Sequence, residues 1–183
     1  GDYDVDGISA TAIMVRGLKR YGVESVSFTM PDRLEDGYGL NNSLLEQALK
    51  DAVELVITVD NGIMAHESSQ FAKENNLDLI ITDHHTLHAT DPLPEAAAIV
   101  HPGLPGTDYG FTELAGAGVA WKLALLIVLQ HTGSRSLAAM ATVADDQPLF
   151  GQSIQRTHDV IMDCLSLAAM GTVADVMPLI DEN

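Results

Sequence analysis

Two short apolar runs, Leu55–Val59 and Leu77–Thr82, flank a stretch of helical pattern, and each is followed at once by an acidic residue. Apart from Asp78 and the threonines, both runs are apolar rather than alternating, which is the mark of strands buried on two faces. Strands of that kind, alternating with helices, belong in a parallel sheet covered on both sides. In such sheets ligands bind beyond the carboxyl ends of the strands. Asp60 and the run Asp83-His84-His85 fall at that edge, and Asp2, Asp4 and Asp6 stand in a similar turn at the start. The expectation is that these ends converge on divalent metal ions.

The remaining elements follow from periodicity and punctuation. Ile8 to Tyr21 has a helical pattern, with Ile8, Ala12 and Val15 on one face, and Gly22 stops it. Ser25 to Met30 alternates and reads as a strand, Pro31 to Asn42 as a loop, and Ser43 to Lys50 as a short helix. A helix from Ala65 to Asn75 precedes the second apolar run, and Ala96 to Val100 is a further short strand. After Gly116 the pattern is helical: Val119 to His131 is apolar nearly all round, as in a buried helix. The tail holds a duplication, since residues 136–149 and 166–179 agree at 11 of 14 positions. The fold class is therefore α/β, a parallel β-sheet flanked by helices with a helical C-terminal part. Residues 1–183 read as one domain, and the abrupt acidic start suggests that its first strand is missing.

Bulk properties narrow the function. At 46% hydrophobic and 19% charged the chain is a folded one. Its single cysteine, Cys164, rules out an internal disulfide and fits a reducing, cytoplasmic setting. Val119 to Leu129 is too short to span a bilayer, which takes about 20 apolar residues. Nine Lys and Arg against 26 Asp and Glu leave a formal net charge of −17. Taken alone, that charge argues against a polyanionic partner; carboxylates that ligate cations account for only part of it.

The candidate site residues each have an ordinary reading as well. Asp2, Asp4 and Asp6 point the same way in extended backbone, and three carboxylates on one side call for a hard cation or for full solvation. An EF-hand loop is excluded, because Ile13 stands where its glutamate belongs. Asp60-Asn61-Gly62 alone would be a common turn. His84 and His85 can divide labour, one as ligand and one as acid or phosphate contact, or cap a following helix. Gly116 and Gly118 could cradle a phosphate at a helix N-terminus or allow close helix packing.

Taken together, six ordered segments resemble the DHH phosphoesterase superfamily, most closely its RecJ branch of single-strand-specific exonucleases. They are GDYDVDG (1–7), PDRLEDGYGLN (31–41), VDNG (59–62), TDHH (82–85), LAGAGVAWKLA (114–124) and GTVADVMPL (171–179). The resemblance implies two Mn²⁺ or Mg²⁺ ions held by Asp4, Asp6, Asp60, His84 and the aspartate of the last segment, with Asp60 bridging and Asp2 as a further candidate. The duplication offers Asp175 and Asp145 for that last aspartate, and Asp175 has the better local match. His85 would contact phosphate or act as acid, with Asp83 orienting a histidine. His101 stands where relatives commonly have Asn, and Trp121 where they have Phe.

The activity so implied is metal-dependent hydrolysis of phosphodiesters, as a 5′→3′ exonuclease on single-stranded DNA in repair and recombination. Hydrolysis of short oligonucleotides or cyclic dinucleotides is the alternative, and a non-catalytic fragment is another. RecJ-like proteins carry a second, DHH-associated domain, which these 183 residues do not contain.

Overall fold

The computed structural model describes residues 1–31, 39–87, 90, 92–131, 162–175 and 177. Helix α1 (Val5–Tyr21) begins where the Asp4 side chain accepts the Gly7 N–H at 2.9 Å. It ends in a Schellman closure: Gly22 takes φ +113°, and the Val23 N–H reaches the Leu18 carbonyl at 3.0 Å. Helix α2 (Asn42–Lys50) is capped by Asn41 in the same way, at 3.0 Å to the Leu44 N–H. Then come β1 (Leu55–Val59), α3 (His66–Glu74), β2 (Asp78–Thr82), β3 (Ala98–Val100) and α4 (Gly116–His131). Residues 162–174 form a further helix, α5.

The three strands make a parallel sheet in the order β1-β2-β3. In the register Val59 lies opposite Thr82, and Thr82 opposite Val100. All three strands therefore stop on one line, which places Asp60, Asp83 and His101 side by side at the carboxyl edge. The Thr82 side chain fixes that line by donating to the Thr58 carbonyl at 2.7 Å, while the Thr58 hydroxyl accepts the Thr82 N–H.

Apolar side chains on the two faces form separate cores. Leu45, Ala72, Leu77, Leu79 and Ile81 bury the side under α2 and α3. Ala10, Ile13, Met14, Val59, Ala117, Ala120, Ala124, Val128, Cys164 and Ala168 pack α1, α4 and α5 together on the other. The expected parallel sheet with helices on both faces is present.

Several local expectations shift. The buried face of α1 is not Ile8, Ala12 and Val15: Ile8 is 47% exposed, and Ala10, Ile13, Met14 and Gly17 face inward instead. Close packing decides this, because a Cβ on Gly17 would sit 2.6 Å from the Ala124 Cβ. Ser25–Met30 forms no strand among the described residues; Phe28 is 67% exposed there. A strand exists only with a ladder partner, and the Thr29 carbonyl instead accepts from the Gly1 amino group. Leu77 drops out of β2 because its N–H closes the end of α3, on the Ala72 carbonyl at 2.9 Å. Of the duplicated tail, residues 136–149, 176 and 178–179 lie outside the described residues, as do 32–38 of the loop after Pro31.

Candidate metal centre

Four elements deliver acidic or imidazole groups to one point at the strand ends. Asp6 sits in the first turn of α1, Asp60 directly after β1, His84 two residues after β2, and Asp175 at the end of α5. The His84 Nε2 lies 3.1 Å from Asp60 Oδ1, 3.6 Å from Asp6 Oδ2 and 3.7 Å from Asp175 Oδ2. Asp6 and Asp60 are almost fully buried, and Asp175 is partly exposed.

Among the described residues, three sets of side chains each bring their potential ligand atoms within 4.8 Å of one another: Asp60-His84-His85, Asp6-His84-Asp175 and Asp2-Asp4-Asp60. Asp60 and His84 each belong to two of them. Asp2 is buried and its Oδ1 accepts the Tyr3 N–H at 2.7 Å, whereas Asp4 is exposed and caps α1. Asp145 lies outside the described residues.

Local backbone explains why these carboxylates can be buried. The Gly116 and Ala117 N–H groups, at the start of α4, donate to the two Asp6 oxygens at 2.7 and 2.8 Å. A helix N-terminus favours an anion, and here the anion is a side chain of α1. Gly116 and Gly118 are both closely approached by neighbouring side chains. A Cβ on Gly116 would collide with the Asp60 carboxylate, and one on Gly118 would press on Leu114 at 3.2 Å. Asp60 itself takes φ +62°, a left-handed conformation that costs a non-glycine residue about 1–2 kcal/mol.

Two buried polar atoms at this point have no hydrogen-bond partner, Asp60 Oδ1 and His84 Nε2. They are 3.1 Å apart but not aligned for a hydrogen bond. Burial, reinforced by Asp6, pushes the Asp60 carboxyl up to about 7, against the pull of His84. Burial also raises Asp6, opposed by its two backbone donors. Charge on His84 is disfavoured by burial, yet the adjoining Asp60 outweighs this and lifts its pKa above the ordinary value. Unpartnered carboxylate oxygens packed around an imidazole nitrogen suit a divalent cation, which would satisfy both kinds of donor atom.

Asp83 does a different job. It is buried and accepts four hydrogen bonds: from the Ile63 N–H at 2.9 Å, the His84 and His85 N–H groups at 2.7 and 3.1 Å, and the His85 ring at 2.6 Å. Burial alone would raise its pKa, but the His85 ring and the backbone donors prevail and hold it below the ordinary range. In return Asp83 lifts the His85 imidazole to about 9. His85 is thus a cation at neutral pH.

Sequence reasoning noted His101 but gave it no role at the site. Its Nδ1 accepts the Gly103 N–H at 3.0 Å, so in the neutral ring Nε2 carries the proton and donates to the His85 carbonyl at 2.8 Å. Burial lowers its pKa, which favours that neutral form. It holds the backbone of the histidine pair from the neighbouring strand end. The signal was available: His101 ends an apolar run, as Asp60 and Asp83 do.

Residues 1–172 match the family described as "DHH family, N-terminal domain". The chain belongs to the DHH family. Within it, the chain is 43% identical over 154 residues to the single-stranded-DNA-specific exonuclease RecJ of Bacillus subtilis, covering 84% of the chain and 19% of that protein. It is 37% identical over 165 residues to RecJ of Escherichia coli, covering 81% of the chain and 28% of that protein. A crystal structure of exonuclease RecJ bound to manganese superposes with a TM-score of 0.68 at 33% identity, covering 100% of this chain and 39% of that one. RecJ of Thermus thermophilus in complex with Mn²⁺ gives 0.64 at 32% identity, over 98% of this chain and 21% of that one. This DHH-family chain thus spans roughly a fifth to just over a quarter of the length of these curated relatives. Among the described residues, no helix is long and apolar enough to cross a membrane.

Proposed function

We propose that this chain supplies the metal-binding part of a RecJ-like hydrolase that removes nucleotides from single-stranded DNA in the 5′→3′ direction. One observation carries the reading: Asp6, Asp60 and Asp175 gather around His84 Nε2, with Asp60 Oδ1 and His84 Nε2 buried and without an aligned hydrogen bond. Asp4, Asp6, Asp60, His84 and Asp175 would hold two Mn²⁺ or Mg²⁺ ions, with Asp2 beside them. The membership of Asp60 in two ligand groups supports a bridging role. When bound, such ions polarise a phosphodiester and offset the charge that develops during in-line displacement.

The chain's own residues do the rest. Asp6, clamped by α4, keeps its oxygens fixed and spares the site a reorganisation. Asp83 anchors the backbone of both histidines and keeps His85 charged. The His85 imidazolium pairs with a phosphate oxygen, and its Nε2 proton is available to the leaving oxygen. Part of the −17 net charge is offset by the bound cations. The lone buried thiol of Cys164 supports a reducing, cytoplasmic setting.

The test uses the protein as encoded, at its full length, with 5′-labelled single strands and Mn²⁺. Stepwise release of labelled mononucleotides is expected. Turnover of dinucleotides with long strands left intact would replace this reading with that of a small-phosphoester hydrolase.

A further inference from the structure

Strand β3 holds the Asp83-His84-His85 run at two separate points. Its last residue, Val100, accepts the Asp83 N–H at 3.1 Å, and His101 directly after it donates from Nε2 to the His85 carbonyl at 2.8 Å. The second point matters because of how the run is held from inside. One atom, Asp83 Oδ1, takes the His84 N–H, the His85 N–H and the His85 ring, at 2.7, 3.1 and 2.6 Å. Each residue keeps two soft backbone dihedrals, and bonds that converge on one oxygen form a pivot about which His85 can swing. The bond from His101 falls at the far end of the same residue and removes that freedom.

His101 is itself firmly built in. It is 9% exposed, its Nδ1 accepts the Gly103 N–H at 3.0 Å, and its carbonyl accepts the Leu104 N–H at 3.2 Å. A Cβ on Gly103 would lie 3.3 Å from His101 Cε1, so the turn after β3 lies close against the ring. The imidazole is thus a strut with one nitrogen on the turn and the other on His85. We propose that His101 is a positioning residue for the reaction: through the His85 carbonyl it holds the His85 imidazole in place to meet a phosphate oxygen. His84 keeps its own N–H on Asp83 and does not depend on this strut. The proposal rests on the role given to His85 in the function proposed above.

Two substitutions separate the two bonds. Glutamine carries its amide nitrogen near the place of Nε2, so it keeps the donor to His85 and gives up the acceptor for Gly103. Asparagine carries its amide near the place of Nδ1, so it keeps the acceptor for Gly103 and falls short of His85. Each variant loses one hydrogen bond of ordinary strength, and a merely structural role would affect the two alike.

The assay is hydrolysis of 5′-labelled single strands by the protein at its full encoded length, with Mn²⁺ calorimetry on the same samples. His101→Asn should lower kcat by about 10–100-fold while KM and Mn²⁺ affinity stay within about threefold of the unaltered protein. His101→Gln should keep all three within about threefold. In a His85→Ala background, His101→Asn should lower kcat no further. Urea midpoints of the two single variants should agree; an asparagine variant that alone unfolds would make His101 structural and overturn the proposal. Equal activity of the two variants, a fall in Mn²⁺ affinity that matches the fall in kcat, or a further loss without His85 overturns it as well. If the unaltered protein releases no nucleotide, the functional reading falls and this role with it. If it does and the two variants behave alike, only the role of His101 falls.

Discussion

Replacing Asp60 by Asn should make the metal-free protein more stable and the metal-loaded protein less so. The carboxyl is buried, its Oδ1 has no hydrogen-bond partner, and its pKa rises from 3.8 to about 7. At about 1.36 kcal/mol per pH unit, that rise amounts to about 4 kcal/mol of strain once the group is ionised. The sign follows from proton binding. Between pH 3.8 and about 7 the unfolded chain has released its proton and the folded one has not. Stability therefore falls across that interval, and the full penalty is present above it. At pH 5 it is below about 2 kcal/mol by the same conversion. Asparagine is neutral, nearly isosteric and at ease at φ +62°. The gain at pH 8 has about 4 kcal/mol as its ceiling, because His84 loses the partner that lifts its own pKa. Urea unfolding in chelator, followed by the fluorescence of Trp121, measures it at pH 5 and pH 8. Mn²⁺ should then stabilise the unaltered chain and leave Asp60→Asn unmoved. A variant that is less stable than the parent in chelator at pH 8, or whose advantage does not grow with pH, would refute the reasoning.

Three further outcomes are expected. His84→Ala should weaken Mn²⁺ binding at least tenfold by calorimetry; unaltered binding means that His84 is no ligand. Asp83→Asn should return the His85 imidazole from about 9 toward its ordinary value of 6.5, visible in an NMR titration, and weaken metal binding by roughly 10–100-fold through the loss of backbone anchoring. The contribution of the same pair to stability should be complete between pH 3.8 and 6.5, lost as pH rises through about 9, and lost again in acid as Asp83 takes up its proton. Gly116→Ala should cost about 1–3 kcal/mol in denaturant unfolding, because the new Cβ meets the Asp60 carboxylate.

Parallel strands are legible from sequence because burial on both faces leaves continuous apolar runs, and Leu55–Val59 appears as the strand expected of it. The convergence of Asp60 with Asp83 and His84 followed from the same rule, since strands in a parallel sheet end on one side. What could not be read was decided by contacts between distant segments. The inward face of α1 depends on Ala124 of α4, which meets Gly17, and no local periodicity reports a neighbour. Ser25–Met30 has strand-like alternation, but alternation records which side chains face which way and not whether a ladder is made. Gly116 offered two readings because a helix N-terminus attracts any anion; that the anion is Asp6, 110 residues away, is a tertiary fact. His101 was given no role because it acts through the backbone of His85 rather than through a charge.

Asp6 hangs between two helices, its chain on α1 and its oxygens on the first turn of α4. Its position therefore gauges the spacing of that helix pair along their whole contact. Any wedge between Gly17 and Ala124, far from the carboxylates, would act as a lever with its short arm in the core and its long arm at Asp6. Ion affinity in this protein should thus respond to core volume as a balance responds to weight. Variants chosen only for packing at those two positions would be tuning screws for the metal centre.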